Sequence, residues 1–335
     1  MTPAPRCTYL LPIRRVRAWP PEIEELRAYF ARLAEAGAEV LVVDGSPSGV
    51  FAAHDRAWGA VCRHLAVDPR YRYLNGKVNG IHTGVDVAAC ERIIVADDDI
   101  RYTAGDIART CRLLDGHDMV RPQNYLSPLP WWARMEAARM LVNRGTLRTG
   151  DYPGTCAFRR STFERLGHYD GDVLFDNEEI VRHFAAAGAR IAYARDFFIR
   201  KRPSTLAKWR EQRARQAYED FGMRVKTALF AALVPLGILT AIAGGRRAAT
   251  AYSALVAAGS IALAQRGRGD GAARVVPAAI PLWAPLWVLE RCLSTYWAVY
   301  WKLRRGGYPF GDRLLTKGTG RAWSAGARAA RDRAA

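Results

Sequence analysis

Residues 91–102, ERIIVADDDIRY, decide the fold class of this chain of 335 residues. The apolar run from Ile93 to Val95 predicts a buried strand, and three consecutive aspartates, Asp97 to Asp99, close it. Residues 38–47, AEVLVVDGSP, repeat the pattern, because an apolar run ends at Asp44 and passes into turn residues. Two predicted buried strands therefore each end in acidic residues.

Helical patterns separate these strands, as in residues 21–36, where apolar side chains recur on one helical face. Strands that alternate with helices predict an α/β fold with a mostly parallel, doubly wound sheet and right-handed crossovers. Ligands of such sheets bind at the carboxyl ends of the strands. Because Asp44 and the aspartate triplet both lie at predicted strand ends, this edge is the first candidate for a functional site.

The alternation continues along the chain up to about Phe221, so residues 1–221 are predicted to form one catalytic domain. Its remaining elements follow from periodicity and turn residues. We expect strands at 7–13, 71–74, 119–125 and 155–160, a last strand with its exit loop at 190–203, and helices at 50–65, 75–89, 131–143, 161–167 and 176–187.

The composition is that of a globular protein with a strong basic excess. Half of the residues are hydrophobic and 24% are charged, which excludes a disordered chain and a polytopic transporter. The formal net charge of +18 requires an anionic partner, and nucleic acid, anionic lipid and phosphate-bearing substrates all fit. No nucleic-acid-binding motif is recognisable, so nucleic acid is not expected. The six cysteines form no CxxC pair, which argues against disulfides and structural zinc.

The composition becomes more apolar after the catalytic domain, and residues 222–303 are predicted to form a membrane region. Residues 225–243 are long and apolar enough to cross a hydrocarbon core about 30 Å thick. Residues 249–265 are a weaker, Ala-rich second span. Prolines and aromatic residues in 275–303 favour an interfacial or re-entrant element. The alternative is that these segments are buried helices of a globular domain.

Basic residues indicate the orientation in the membrane. The loop RGRGDGAAR and the basic tail, residues 304–335, both favour the cytosolic side. Two spans place both there and leave the catalytic domain in the cytosol. The apolar run at the N-terminus is too short for a signal peptide. We therefore expect localisation at the cell (inner or plasma) membrane, with membrane lipids as partners.

The aspartate triplet predicts metal chemistry. Three adjacent carboxylates in a partly desolvated site repel one another unless a cation neutralises them. Mg²⁺ and Mn²⁺ prefer carboxylate and diphosphate oxygens. Asp97 and Asp99 form a DxD pair on one side of an extended strand, which suits a metal–nucleotide-sugar site. An acidic turn or a helix N-cap cluster is the alternative.

Several motifs occur in order over roughly residues 7–220. They are VVDGSP, KVNG beginning at Lys77, IVADDDI, GTCAFRRSTFERLGHYD and FDNEEIVRHFAAAGARI. In this order and spacing they resemble the family 2 glycosyltransferases of the GT-A fold. The resemblance implies a GT-A (Rossmann-like) domain that transfers a sugar from a nucleotide-sugar donor, with inversion and with Mg²⁺ or Mn²⁺.

The resemblance also implies roles for individual residues. Asp44 matches the aspartate that contacts the base and ribose of the nucleotide. Asp97 and Asp99 match the DxD motif that binds the ribose and the metal–diphosphate, and Asp98 fits its variable central position. Lys77 is similar to the basic residue that approaches the nucleotide, although a solvated loop lysine is the alternative.

The catalytic base is the point at which this chain departs from the family. The family carries a Glu-Asp pair at the start of a helix, and its aspartate deprotonates the acceptor hydroxyl. Here the sequence is Asp176-Asn177-Glu178-Glu179, and an asparagine cannot accept that proton. We expect Asp176 or Glu178 to act as the base, with Glu179 as the third candidate. An acidic first turn of a helix is the alternative.

A polar segment just before the first apolar span resembles the Q-x-x-R-W element of membrane synthases only in its order of appearance along the chain. Gln212, Arg213 and Arg215 are present, but the Arg-Trp dipeptide is absent. A guanidinium suits a leaving diphosphate, which makes these residues candidates for substrate binding. A basic helix on anionic headgroups is the alternative.

The sequence thus predicts a membrane-anchored glycosyltransferase that moves a sugar from a nucleotide-diphosphate sugar to a lipid-linked or membrane-proximal acceptor. A processive polysaccharide synthase is a second hypothesis, but it would need more spans and the missing dipeptide counts against it. A catalytically inactive membrane scaffold is a third, suggested by Asn177 in place of the base.

Overall fold

The structure, a computed structural model, describes residues 6–173, 175–219, 224–310 and 313–316. The domain boundary predicted at Phe221 and the basic tail from residue 317 onward lie outside the described residues. The strands are β1 (Cys7–Ile13), β2 (Ala38–Asp44), β3 (Arg63–Ala66), β4 (Arg92–Ala96), β5 (Ile100–Arg101), β6 (Met119–Leu126), β7 (Thr155–Arg159), β8 (Ile191–Lys201), β9 (Tyr308–Phe310) and β10 (Arg313–Leu315). The helices are α1 (Pro20–Glu35), α2 (Ser48–Trp58), α3 (Gly76–Val87), α4 (Ala104–Gly116), α5 (Trp131–Thr146), α6 (Arg160–Leu166), α7 (Asp176–Ala186), α8 (Leu206–Glu219), α9 (Arg224–Gly267) and α10 (Ala284–Arg305).

The domain that was predicted to be catalytic contains a sheet of eight strands, in the order β3-β2-β1-β4-β7-β6-β8-β5. The strands from β3 to β4 are parallel to their neighbours, and so are β6 and β8. Strand β7 is antiparallel to β4 and β6, and β5 is antiparallel to β8. The α/β class is confirmed, and the parallel pairs align the carboxyl ends of β1, β2 and β4 at one edge of the sheet.

Helices cover both faces of this sheet, which explains the continuous apolar runs of its central strands. In β1, Tyr9 and Leu11 pack on one face with Phe30 of α1. Leu10 packs on the other face with Val85 of α3. Because successive side chains of a strand point to opposite faces, two buried faces favour apolar residues at successive positions.

Two predicted elements are wrong. The helix predicted over 50–65 ends at Trp58, because the segment that follows pairs in parallel with β2 as the edge strand β3. The strand predicted over 71–74 is not formed, because loop contacts take up its backbone donors. The Leu74 N–H, for example, donates to Asp172 Oδ1 at 2.9 Å.

The segment α9 consists of two helical arms that form a hairpin. Gly245 interrupts its helical backbone with φ 66° and ψ −165°, a region that glycine adopts readily. The Tyr252 hydroxyl donates to the Leu233 carbonyl at 2.7 Å, so the two arms run back along each other. The apolar stretches at 225–243 and 249–265, which are predicted spans, form these two arms.

The apolar surface of the hairpin is largely exposed. Among the described residues, Val225–Gly267 is one helix long and apolar enough to cross a membrane, with a mean hydropathy of 2.0 and 6% burial in its most apolar window. Phe230 and Ala264 pack with α5 where the arms meet the domain. The exposed large side chains are Val225, Leu229, Leu236, Ile238, Leu239, Ile242, Leu255 and Leu263.

Helix α10 forms most of the element predicted over 275–303, and it has two different faces. Its inner face packs against α5, α8 and α9 and buries Trp287, Arg291, Cys292, Thr295 and Ala298. Its outer face exposes large apolar side chains at helical spacing, which we call the outer stripe. The outer stripe consists of Leu286, Leu289, Leu293, Trp297, Tyr300 and Leu303.

Candidate active site

A cleft lies at the carboxyl ends of the strands, and its cavity has a volume of about 490 Å³. Its sheet wall contains Arg15 after β1, the aspartate triplet after β4, and Lys201 at the end of β8. Its other wall, which we call the helical wall, consists of side chains of α5 and α8 together with Lys226 of α9 and Arg291 of α10. The cleft therefore connects the predicted nucleotide site to the helices of the predicted membrane region.

Asp97 is surrounded by positive charge. Lys77 Nζ donates to its carboxylate, and Lys201 Nζ lies 3.7 Å from Asp97 Oδ2. The Asn177 amide lies 3.3 Å from the same oxygen. Burial raises the pKa of Asp97, but the charges of Lys77 and Lys201 outweigh burial and lower that pKa below its ordinary value. Asp97 is thus held as a carboxylate at the centre of the cleft.

Asp98 faces a different partner. Arg15, which follows β1, donates to the Asp98 carboxylate and also lies 2.5 Å from Glu22 of α1. Burial raises the pKa of Asp98, but the charges of Arg15 and Lys208 outweigh it and lower the pKa. The central aspartate therefore anchors Arg15, as the variable position of a DxD motif allows.

Asp99 lacks the charge compensation of its neighbours. Its pKa is raised to about 6, because burial and repulsion by Asp97 and Asp98 outweigh the charges of Lys201, at 3.4 Å, and of Lys208. Asp99 Oδ1 is buried and has no hydrogen-bond partner within the described residues. A divalent cation on Asp97 and Asp99 would supply the missing positive charge, and carboxylates are ligands that Mg²⁺ and Mn²⁺ prefer. The donor set therefore fits the predicted metal.

Helices α3 and α7 both begin at this cleft. Asn75 caps α3, because its side chain accepts the Lys77 N–H at 3.1 Å. Lys77 Nζ then reaches α7, where it lies 2.8 Å from Asp176 Oδ2 and donates to Asn177 Oδ1 at 2.8 Å. One lysine therefore joins the aspartate triplet to the first turn of α7.

The two glutamates of α7 have different surroundings. Glu178 lines the cleft and accepts from Arg121 Nη2 at 2.7 Å, and both side chains are buried. Glu179 is fully buried, lies outside the described lining of the cleft, and has Arg182 Nη1 at 3.5 Å from its Oε2. The structure thus places Asp176 and Glu178, but not Glu179, at the cleft.

Asp44 is buried behind the cleft and does not belong to its described lining. Its Oδ2 accepts from His54 Nδ1 at 2.7 Å and from His64 Nε2 at 3.2 Å, and its Oδ1 accepts the Ser46 N–H at 2.8 Å. Burial raises the pKa of Asp44, but these hydrogen bonds hold it well below its usual range. One side-chain atom each of Asp44, His54 and His64 lies within 4.8 Å of the other two, which is close enough to hold a metal ion, although the hydrogen bonds already satisfy the carboxylate.

The polar residues of α8 separate into two groups. Arg213 is buried outside the described lining, where its Nη2 lies 3.0 Å from Glu136 of α5. Gln212 and Arg215 line the cleft, and the Arg215 guanidinium lies 5.2 Å from the centroid of the Phe175 ring. Of the predicted site residues, the cleft brings together Lys77, Asp97, Asp98, Asp99, Asp176, Glu178, Gln212 and Arg215.

Sequence reasoning missed several cleft residues. Arg15 and Lys201 could have been predicted, because ligands bind at the carboxyl ends of strands in such sheets. Arg15 comes two residues after β1, and Lys201 ends β8. Arg121 does not line the cleft but pairs with Glu178, and its isolated charge within a buried strand was a signal for such a pair. Trp209 and Arg291 carry no local signal, because only the packing of α8 and α10 brings them to the cleft.

No protein-family model matches this chain, and no curated protein matches it. Among solved structures, a mannosyltransferase from Pyrobaculum calidifontis, in complex with GDP-mannose and Mn²⁺, is 21% identical, covers 88% of each chain and has a TM-score of 0.50. Glucosyl-3-phosphoglycerate synthase from Mycobacterium tuberculosis, with Mn²⁺, UDP and glucosyl-3-phosphoglycerate, is 15% identical over 58% of this chain and 70% of its own, with a TM-score of 0.39. The similarity to the mannosyltransferase structure confirms the GT-A-like fold class. At 21% identity, this similarity supports the fold but not the function.

Proposed function

We propose that this protein is a family 2 glycosyltransferase that moves a sugar from a nucleotide-diphosphate sugar, with inversion, to a lipid-linked or membrane-proximal acceptor. The observation that carries the proposal is the aspartate triplet in the cleft, where Asp99 Oδ1 has Lys201 Nζ at 3.4 Å but no hydrogen bond within the described residues. One solved structure that shares the fold is a mannosyltransferase in complex with GDP-mannose and Mn²⁺. That complex supports a nucleotide-sugar donor and a divalent metal for this chain.

Asp97 and Asp99 would hold Mg²⁺ or Mn²⁺ in this proposal. When bound, the ion neutralises the charge of the donor diphosphate and of the leaving nucleotide. Lys77 keeps the Asp97 carboxylate in place, and Lys201 lies between Asp97 and Asp99. Electrostatic stabilisation of this kind is effective because the groups are positioned before the substrate arrives.

Asp44 has an indirect role in the proposal. Since its carboxylate is buried and accepts from both imidazoles and from the Ser46 N–H, it fixes the turn that follows β2. Ser46 Oγ in turn accepts the Arg15 N–H at 2.8 Å. Asp44 would therefore position the wall of the nucleoside site, and a direct contact with the base or ribose stays a prediction.

Transfer with inversion requires the acceptor oxygen to attack the anomeric carbon from the side opposite the diphosphate. For a hydroxyl acceptor, Asp176 or Glu178 would have to take the proton, because both line the cleft at the start of α7. On the helical wall, Gln212 and Arg215 offer donors that suit the leaving diphosphate.

The exposed hairpin supports a membrane location. Contiguous apolar surface of this kind on a soluble monomer is unusual and marks a membrane or protein contact. The arms are long enough to cross a bilayer, and the basic residues near α10 favour the cytosolic side. We therefore propose a cell-membrane protein with a cytosolic catalytic domain.

A donor screen tests this function. Detergent-solubilised full-length protein is incubated with individual nucleotide sugars and Mn²⁺ or Mg²⁺, beside the Asp97→Ala/Asp99→Ala double variant, and nucleotide release is measured. The proposal predicts metal-dependent turnover of one donor that is lost in the variant. Failure of folded wild-type protein to bind or turn over any donor would refute the enzyme and favour the inactive scaffold.

A further inference from the structure

We propose that Lys201 is an internal counter-ion of the metal site and makes binding of the metal depend on binding of the donor. Without ligands, its ammonium group occupies the space between Asp97 and Asp99. When the donor binds, the ammonium group leaves the two carboxylates and moves to the donor diphosphate. This inference rests on the glycosyltransferase function proposed above, and it assigns a role to a cleft residue outside the predicted site.

Basic side chains already face all three carboxylates of the aspartate triplet. Lys77 and Arg15 each donate to one of these carboxylates. Lys201 Nζ lies 3.4 Å from Asp99 Oδ1 and 3.7 Å from Asp97 Oδ2. A divalent cation alone would therefore meet the repulsion of three positive charges, whereas a donor diphosphate adds negative charge that offsets this repulsion.

Of the two lysines beside Asp97, Lys201 is the less firmly held. Lys77 Nζ lies 2.8 Å from Asp176 Oδ2. It also donates to Asn177 Oδ1 at 2.8 Å and to Asp97. The distances from Lys201 Nζ to the triplet, 3.4 and 3.7 Å, exceed the range of about 2.7–2.9 Å that is typical of a charge-assisted hydrogen bond. The ammonium group of Lys201 therefore loses less than that of Lys77 when it moves.

The position of the Lys201 ammonium group depends on a glycine. A methyl group on Gly154 would lie 2.9 Å from Lys201 Nζ and 2.5 Å from Asp97 Oδ2. The Gly154 carbonyl also accepts the Asp97 N–H at 2.8 Å, so this backbone and the carboxylate are held together. The fold thus leaves room for the ammonium group directly beside a proposed metal ligand.

The backbone of Lys201 is fixed on both sides, so the exchange requires movement of its side chain alone. Lys201 pairs with Leu126 of β6 and with Ile100 of β5. Its carbonyl accepts the Ser127 N–H at 3.1 Å. Its side chain lines the cleft and is 27% exposed. Because a lysine has a flexible stem of four carbons, the ammonium group can turn toward a diphosphate in the same cleft.

This exchange would couple the two ligands of the cleft. Without the donor, Lys201 has to leave two carboxylates before a metal ion binds there, and no other anion is supplied to it. The donor diphosphate supplies that anion. Each ligand therefore strengthens binding of the other by the same factor, because coupling between binding sites is reciprocal. The enzyme free of donor would hold little metal.

Binding of Mn²⁺ in the absence of nucleotide tests the inference. Full-length protein in detergent is titrated with Mn²⁺, and the free ion is measured by electron paramagnetic resonance, beside Lys201→Met. This variant keeps an apolar stem but lacks the charge. It should bind Mn²⁺ on the order of tenfold more tightly than wild type, because one positive charge beside the proposed ligands is removed.

The same titration with the nucleoside diphosphate released in the donor screen measures the coupling. Mn²⁺ bound by the nucleotide itself is subtracted with a sample that lacks protein. In wild type the nucleotide should strengthen Mn²⁺ binding by a factor in the range of about 5 to 150 that is typical of coupled sites. In Lys201→Met this factor should be smaller, because the direct attraction between ion and diphosphate remains but no ammonium group has to be displaced.

Arg200→Met is the matched control. Arg200 is exposed and precedes Lys201 in β8, so its side chain points to the opposite face of the sheet. This variant loses the same charge and should bind Mn²⁺ as wild type does. Equal tightening in Arg200→Met would show a general effect of charge and overturn the inference. Lys201→Gln, with a thermal melt of each protein, replaces Lys201→Met if that variant does not fold.

Two further outcomes are distinguishable. If folded Lys201→Met or Lys201→Gln binds Mn²⁺ no more tightly than wild type, Lys201 does not compete with the metal and the inference is wrong. If folded wild type binds no Mn²⁺ even with the nucleotide, the proposed metal–nucleotide function itself fails.

Discussion

The substitution Gly154→Ala tests the geometry of the aspartate triplet without removing any of its charges. Gly154 precedes β7, and its carbonyl accepts the Asp97 N–H at 2.8 Å. A methyl group at this position would lie 2.5 Å from Asp97 Oδ2 and 2.9 Å from Lys201 Nζ. The alanine therefore forces the carboxylate and the ammonium group away from their positions beside the predicted metal.

The size of the effect follows from these distances. An ordinary contact of a methyl carbon begins at 3.4 Å, so the Asp97 oxygen has to move by nearly 1 Å, and a misplacement of about 1 Å costs on the order of 100-fold in rate. Small-to-large substitution in a packed site costs about 1–3 kcal/mol of folding free energy. We therefore expect a fall of about 100-fold in kcat/KM with a lower Tm in a protein that still folds.

Donor turnover with Mn²⁺ and a thermal melt in the same detergent provide the two readouts. Gly49→Ala in α2 is the matched control, because no atom lies within 4 Å of the position of its added methyl group. The control should retain wild-type kcat/KM. A Gly154→Ala enzyme with wild-type kcat/KM and wild-type Mn²⁺ dependence would refute the assignment of Asp97 to the metal site.

Three further predictions concern the folded protein. Arg121→Met leaves Glu178 buried without its partner and should lower the free energy of unfolding by about 3–5 kcal/mol, as measured by denaturant titration, whereas Arg121→Met/Glu178→Leu should recover much of the loss. Burial lowers the pKa of His64, but the hydrogen bonds and charges of Asp44 and Asp55 outweigh burial and raise that pKa. The charged His64 therefore stabilises the fold fully below about pH 6.5, and this stabilisation is lost as the pH rises through the raised pKa. Tm should accordingly fall as the pH rises above about 6.5. Trp297 of the outer stripe should be quenched by brominated lipids in vesicles.

Each of these predictions has its own control. If Arg121→Met alone had the same free energy of unfolding as the double variant, the unpaired buried Glu178 would not lower the stability of the fold. His64→Gln should remove the alkaline fall in Tm, and a fall that persists would assign it to another group. Because the chain has ten tryptophans, the quenching is read as the difference from Trp297→Phe, with Trp287→Phe, at the buried face, as the comparison. Equal quenching losses in both would argue against an interfacial outer stripe.

The sheet and the triplet could be predicted because their signals are local. Strands β2 and β4 are buried on both faces and therefore appear as apolar runs, and Asp44 and the triplet follow at the sheet edge. Lys77 was predicted from the family resemblance, and its ammonium group reaches Asp97 because α3, capped by Asn75, begins beside this edge.

The remaining errors have physical causes that lie outside local sequence. Arg213 and Arg215 are two residues apart on one helix and so point in nearly opposite directions, and the packing of α5 decides that Arg215 faces the cleft. His64 was missed as a partner of Asp44 because it lies in strand β3, whereas a helix was predicted over 50–65. The bend of α9 at Gly245 is set by a backbone conformation, which periodicity alone does not specify.

Equilibrium binding of Mn²⁺ tests the central claim most directly. Full-length protein is titrated with Mn²⁺ in the presence of the nucleoside diphosphate of its donor, by calorimetry, beside Asp99→Asn. The account predicts a single saturable site in the wild type and binding at least about tenfold weaker in the variant, because one of the two charged ligands of the proposed site is lost. Equal affinity in the two proteins, or no binding by folded wild type, would contradict a metal–nucleotide site at the aspartate triplet.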